Sequence, residues 1–205
     1  MKKWIVLKPL VALLLSFAVF AVAPPKTFAG EPTQQVKETV DEVINILNNK
    51  DLKQPEKRKE RSARIREVVE KRFDFAEMAK RSLGIYWRQR TPEEQKEFVS
   101  LFSDLLEDTY IRKIERYEHE KVTYVGEIMQ GQYATVKTVI ITTKEVEIPV
   151  NYKIFKSGSK WEVYDIIVEG VSLVNNYRTQ FYQIMGSGSY ADLVKKLKAK
   201  VDKSE

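Results

Sequence analysis

The chain has 205 residues and a mass of 23.9 kDa; 43% of it is hydrophobic, 31% is charged, and it carries no cysteine and one histidine. That is a globular composition, long enough for one domain or two small ones. The missing thiols exclude structural disulfides, thiolate metal sites and a cysteine nucleophile, and a single His119 argues against a multi-histidine metal centre.

The formal net charge of +6 changes meaning once the N-terminus is read. Lys2 and Lys3 precede an apolar run from Val11 to Ala23, and Thr27-Phe28-Ala29 offers a small-x-small cleavage site before Gly30. Residues 1–29 are predicted to be a cleavable secretory signal peptide, leaving residues 30–205 as one mature domain. The alternative is an uncleaved anchor, for which the apolar run is short of the ~20 residues a span needs. Removing the leader removes four lysines and no acid, so the mature net charge is only +2. Nucleic-acid binding, which needs a concentrated positive face, thereby loses its support.

Helical spacing comes first. Val36, Val40, Val43, Ile44 and Leu47 follow Pro32-Thr33, and Asn48-Asn49 ends that helix. A second helix is predicted over 55–72, with Ile65, Val68 and Val69 as its apolar stripe. A short helix over 73–83 stops at Gly84. Thr91-Pro92-Glu93-Glu94 is a capping box opening a long helix whose stripe includes Phe98, Phe102 and Leu105.

From residue 122 the period switches from 3.6 to 2. Strands are predicted over 122–128 and 133–142, joined by a Gln130-Gly131-Gln132 turn. In the third, Ile148, Val150, Tyr152 and Ile154 alternate with Glu147, Asn151 and Lys153, giving a dry face and a wet face. Pro149 removes a ladder donor, which predicts an edge or a bulge there. Ser157-Gly158-Ser159 leads into a fourth strand over 161–168, and Ser172 caps a further helix that breaks at Gly186-Ser187-Gly188. A last amphipathic helix spans 190–201. Helices, a four-stranded antiparallel meander and more helices make an α+β fold.

No catalytic constellation stands out. Gly170-Val171-Ser172 lacks the second glycine of a nucleophile elbow, since Val174 occupies that place. Asp165 and Glu169, on one face of a strand, are the pair that could serve an exported hydrolase; the plainer reading is a solvent-facing strand end. The mature chain does carry ten tyrosines, six phenylalanines and two tryptophans. Most must be core, but a sheet with helices around it can also enclose a cavity. An apolar-ligand carrier, a hydrolase and a purely structural envelope protein all remain open on these residues.

Three segments narrow the choice. The first is Phe73-Asp74-Phe75 with Met78-Ala79, Leu83-Gly84, Tyr86-Trp87-Arg88, then Thr91-Pro92-Glu93-Glu94-Gln95 and Phe98 through Tyr110. The second is Trp161 to Ile166 running into Val168-Glu169-Gly170-Val171-Ser172-Leu173. The third is Asn176-Tyr177-Arg178-Thr179-Gln180-Phe181, with Leu193 through Leu197 behind it. Together, over roughly residues 33–200, they resemble the MlaC family, also called the toluene-tolerance family; a related branch is associated with hopanoid lipids.

The resemblance implies a twisted antiparallel sheet wrapped by helices, with an apolar cavity for phospholipid acyl chains. It implies a monomeric periplasmic carrier with no catalytic residue, metal or cofactor. Such a carrier exchanges lipid between an outer-membrane lipoprotein complex and an inner-membrane ABC transporter complex with its periplasmic lipid-binding subunit. The lining candidates are Ile148, Val150 and Tyr152 on strand three, and Phe75, Met78, Leu83, Phe102, Leu105, Val174 and Tyr177 on the helices, some of which must be core instead. Arg88, Arg90, Lys153 and Lys156 are the candidate docking charges.

Overall fold

The computed structural model describes residues 30–201. The predicted signal peptide lies outside the described residues.

Helix α1 (Glu31–Asn48) starts with Pro32 in its first turn and turns Val36 and Leu47 inward. A 3₁₀ turn at Pro55–Lys57 precedes α2 (Arg58–Glu70), so this helix is shorter at both ends than its apolar spacing predicts. It ends early because the segment after it joins the sheet. Val163 donates its N–H to the Arg72 carbonyl at 2.8 Å, and Asp74 donates to the Val163 carbonyl at 3.0 Å. Asp74 then caps α3 (Phe75–Leu83) by accepting from Glu77 N. Gly84 ends α3 at φ +56°, where an added Cβ would lie 2.2 Å from the Tyr182 hydroxyl. Both halves of the Thr91–Glu94 capping box form at the start of α4 (Pro92–Ile114).

The sheet contains β1 (Lys121–Gln130), β2 (Tyr133–Ile141), β3 (Glu147–Ser157), β4 (Lys160–Val168) and β5 (Val171–Ser172), in that spatial order and antiparallel throughout. The meander thus has five strands where four are expected. Glu169 and Gly170, both at positive φ, fold the chain back sharply enough for Val171 and Ser172 to pair with Val168 and Ile167. Two residues are too few to show an alternation. Pro149 sits on a strand that is interior in the sheet, but it faces a local edge. Its carbonyl accepts from Glu169 N, past the end of β4, so its missing N–H also falls where β4 has ended. A bulge lies further along, where Tyr164 is inserted between the Lys153–Asp165 and Ile154–Val163 pairs.

Ser172 caps α5 (Leu173–Ser187), accepting from Asn175 N at 3.0 Å, and α6 (Tyr190–Val201) completes the described chain. The aromatics concentrate between α3, α4, α5 and α6. Phe102 meets Tyr177 edge-on at 5.3 Å, and Phe98 meets Phe181 edge-on at 5.6 Å. A second buried group lies between α1 and one face of the sheet: Val36 against Ala134, Val136, Ile154, Trp161 and Val163. A third joins Leu47, Ile65 and Ile111 where α1, α2 and α4 meet.

Candidate functional site

The second and third groups do not merge. Between them, under α1, the chain leaves a cavity of about 430 Å³, within the usual range for ligand sites. The roof is one face of α1: Val36, Thr39, Val40, Val43, Ile44 and Leu47, at helical spacing. The wall opposite is the dry face of the sheet, with Val122, Ile140, Ile148, Tyr152, Val163 and Ile166. Val69 and Phe73 close one side, and Ile114 and Tyr117, from the end of α4 and just beyond it, close the other. Polar groups are few: Arg72 inside, and Lys113, Glu120 and Thr142 at the end nearest the α4 terminus.

Arg72 is tied into the fold through its Nε and one of its two Nη groups. Its Nη1 donates to Gln35 Oε1 at 2.5 Å and to the Trp161 carbonyl at 2.8 Å, and its Nε donates to Thr39 Oγ1 at 3.0 Å. It clamps α1 to β4, while burial lowers its pKa. The Tyr152 hydroxyl is pushed up to about 12 by burial, so the cavity holds a neutral phenol at physiological pH. Other hollows are ionic. One between α2 and α4, about 820 Å³, is walled by Arg58, Arg66, Asp104 and Glu107, and a shallow one on α6 by Glu94, Glu97, Lys195 and Lys198.

Of the ten lining candidates, Ile148 and Tyr152 face this cavity. Val150 lies between them on the same face but is buried, and its carbonyl accepts from Thr138 Oγ1 at 2.6 Å. Met78, Leu83, Phe102, Leu105, Val174 and Tyr177 are buried in the helical core, with Phe75 packed against it. They are brought together with one another and not with the cavity. The structure adds the α1 face, which its spacing marks as inward but not as roof. One signal is present: that face is built from Val, Ile, Leu and Thr, whereas the helical core includes the stacked and edge-on rings of Phe98, Phe102, Tyr177 and Phe181. Side chains of modest volume leave space that aromatics would occupy.

The candidate docking charges do not form one patch. Arg88 is exposed in the 3₁₀ segment Gly84–Gln89. Arg90 is half-buried over the Tyr190 ring and lies 3.6 Å from Glu94. Lys153 is half-buried on the wet face of β3, and Lys156 pairs with Glu31 at 3.3 Å.

Asp165 is buried rather than solvent-facing. Its Oδ2 accepts from Ser172 Oγ at 2.6 Å and its Oδ1 from Val174 N at 3.0 Å, so both oxygens secure the start of α5. Glu169 lies beyond β4 in an exposed turn, because the strand ends before it. The two carboxylates therefore do not share a strand face. Among the described residues no group of three or more His, Asp and Glu is placed to hold a metal, and no helix is long and apolar enough to cross a membrane.

The family model described as MlaC protein matches residues 37–199. The intermembrane phospholipid transport system binding protein MlaC of Haemophilus influenzae is 24% identical over 120 residues, 56% of this chain and 56% of that protein. Toluene tolerance protein ttg2D of Pseudomonas putida is 27% identical over 101 residues, 49% of this chain and 47% of that one. The matches thus span about half the length of these curated relatives. Among solved structures, a phospholipid-binding protein from Ralstonia solanacearum, in complex with a phospholipid, superposes with a TM-score of 0.73 at 25% identity, covering 83% of this chain and 97% of that one. An α+β architecture with an open antiparallel sheet and a match across most of its length place the chain in a family: it belongs to the MlaC family.

Proposed function

We propose that this protein is an exported phospholipid carrier that holds acyl chains in the cavity beneath α1. The observation that carries the reading is that cavity: largely apolar walls, few polar groups, most of them at one end, and an interior Arg72 tied through Nε and Nη1 to α1 and β4. Each methylene exposed to water costs about 0.8 kcal/mol, so a ~15-methylene chain carried bare would cost ~12 kcal/mol. A carrier has to enclose the tails and can leave the headgroup in water. The relatives named for phospholipid transport and the phospholipid-bound neighbour support the same assignment.

In this reading the carrier works in the periplasm after removal of residues 1–29. It exchanges lipid between an outer-membrane lipoprotein complex and an inner-membrane ABC transporter complex, docking through surface charge that includes Arg88 and Lys153. The test is organic extraction and native mass spectrometry of protein purified from cells. Stoichiometric glycerophospholipid is expected; a repeatedly empty, compact protein would remove the carrier reading.

A further inference from the structure

The first turn of α1 has no cap of its own. Gly30 stands at the N-cap position, with no side chain to accept from the amides behind it. A residue 94 positions beyond Thr33 does so instead: Glu127 on β1 accepts from Thr33 N at 3.2 Å and from Thr33 Oγ1 at 2.6 Å, both through Oε2. This carboxylate fastens the helix that roofs the cavity to the edge strand of the sheet.

Its other oxygen, Oε1, turns to Gly30. A Cβ built on Gly30 would lie 2.0 Å from it. Nitrogen and Cβ sit about 2.5 Å apart on one tetrahedral carbon, so the Gly30 nitrogen is within about 4.5 Å of Oε1. Among the described residues Glu127 has no ion-pair partner, and both hydrogen bonds it accepts end on Oε2. Glu31, the next residue after Gly30, is taken by Lys156 of β3 at 3.3 Å. A half-buried carboxylate is thus bonded on one oxygen and held against a backbone nitrogen by the other. An internal Gly30 supplies one neutral N–H there. A chain that begins at Gly30 supplies an ammonium with three donors. That start is the one left by cleavage after Thr27-Phe28-Ala29.

We propose that cleavage after Ala29 completes the lipid site: the new α-ammonium of Gly30 pairs with Glu127 Oε1, ties α1 to β1 and holds the roof down on bound lipid. This rests on the reading of the chain as an exported phospholipid carrier and adds a maturation step to it. The ammonium needs the carboxylate as much as the roof does. A positive charge at a helix N-terminus opposes the dipole, so an unpaired one would fray the first turn. With Glu127 against it, the same charge strengthens the tie that Thr33 begins. Glycine permits the approach, because any side chain at position 30 would begin where Oε1 lies.

The experiment uses protein recovered after export, its first residue read by intact mass. Wild type and Glu127→Gln are each compared with the same protein acetylated at the Gly30 amine, which puts back the neutral amide of the uncleaved chain. The four forms make a double-mutant cycle, which separates the ion pair from the Thr33 bonds. At about pH 6, where an ordinary α-amine is fully charged, acetylation should lower the folding equilibrium constant of wild type about two- to fivefold relative to its effect on Glu127→Gln. Pairing raises the folded pKa of the amine above its unfolded range of about 7.7–8.0, so this coupling is full below that range and lost as pH rises through the folded value. Release of bound lipid to phosphatidylglycerol vesicles should quicken on acetylation of wild type and not of Glu127→Gln. No coupling, or release that acetylation does not change, overturns the inference. An exported chain that begins elsewhere than Gly30 overturns it too, and leaves the carrier reading standing. Protein that carries and takes up no phospholipid overturns the carrier reading and the hold on lipid, while the cycle still reports on the ion pair.

Discussion

Asp165 Oδ2 accepts a hydrogen bond from the Ser172 hydroxyl at 2.6 Å, and the same hydroxyl oxygen caps α5 by accepting from Asn175 N at 3.0 Å. One carboxylate thus ties the end of β4 to the start of α5, with Val174 N as its second donor. Asp165→Ala would strand the buried Val174 amide, at about 1–3 kcal/mol, and remove the acceptor of the half-buried Ser172 hydroxyl, at a smaller cost. We expect the melting temperature to fall by about 5–15 °C. Bound phospholipid should stay chemically intact in wild type and variant alike. Free fatty acid or lysophospholipid produced by wild type, and lost in the Asp165 and Glu169 double variant, would favour a hydrolase instead.

Glu107 makes a second buried carboxylate. It projects from α4 toward Arg66 of α2, with which it is paired. Burial raises its pKa from 4.5 to about 7; Arg66 opposes that rise, while Glu70 and Asp104 add to it. Because the folded pKa lies above the unfolded one, the folded state binds the proton more tightly. Stability from this group is greatest below pH ~4.5, declines as pH rises to ~7 and then levels off, a change of up to about 3 kcal/mol. Denaturant midpoints at intervals across that range should show the decline in wild type and a flatter profile in Glu107→Gln.

How much of this could be read from the chain differs by feature. The Thr91–Glu94 box, the Ser172 cap, the Gly84 stop and the alternation of β3 are local, and each forms as its residues predict. Arg72, Gln35 and Trp161 show the opposite case. They lie 37 and 126 positions apart along the chain, and nothing near Arg72 announces that it clamps α1 to β4. The cavity was harder still. An apolar helical face reads the same whether it meets a filled core or a void, because the difference is the distance between layers. The aromatic load suggests enclosure of a ligand, yet most of those rings pack in and against the helical core, and the cavity sits where α1 brings smaller side chains to the sheet.

That division between core and cavity can be measured. Phe102 is fully buried among Phe98, Tyr177 and Phe181. Phe102→Ala should cost about 3–5 kcal/mol. Ile44 is partly exposed on the cavity roof, so Ile44→Trp should reduce lipid content sharply at a cost below about 1.5 kcal/mol. Val150 is buried between two lining residues, and Val150→Trp should lower both. Paired melts and lipid quantification on the three variants check the assignment; a Phe102→Ala protein that melts like wild type would refute it.

Docking is the remaining step, and the four candidate charges are not equivalent. Arg90 and Lys156 already have Glu94 and Glu31 beside them, and their cations lie over Tyr190 and Trp161, so reversing either disturbs the fold as well as the surface. Arg88 is exposed in the loop before α4, and Lys153 lies on the wet face of β3. Charge at the rim of an interface acts mainly on the association rate, and salt screens it. We therefore expect the double variant Arg88→Glu, Lys153→Glu to slow lipid transfer to partner-bearing vesicles about three- to tenfold at low salt. The deficit should shrink toward none as ionic strength approaches ~1 M, where the screening length falls to ~3 Å. Bound lipid should be unchanged, since neither residue lines the cavity. Transfer rates equal to wild type at low salt would show that partners engage another face.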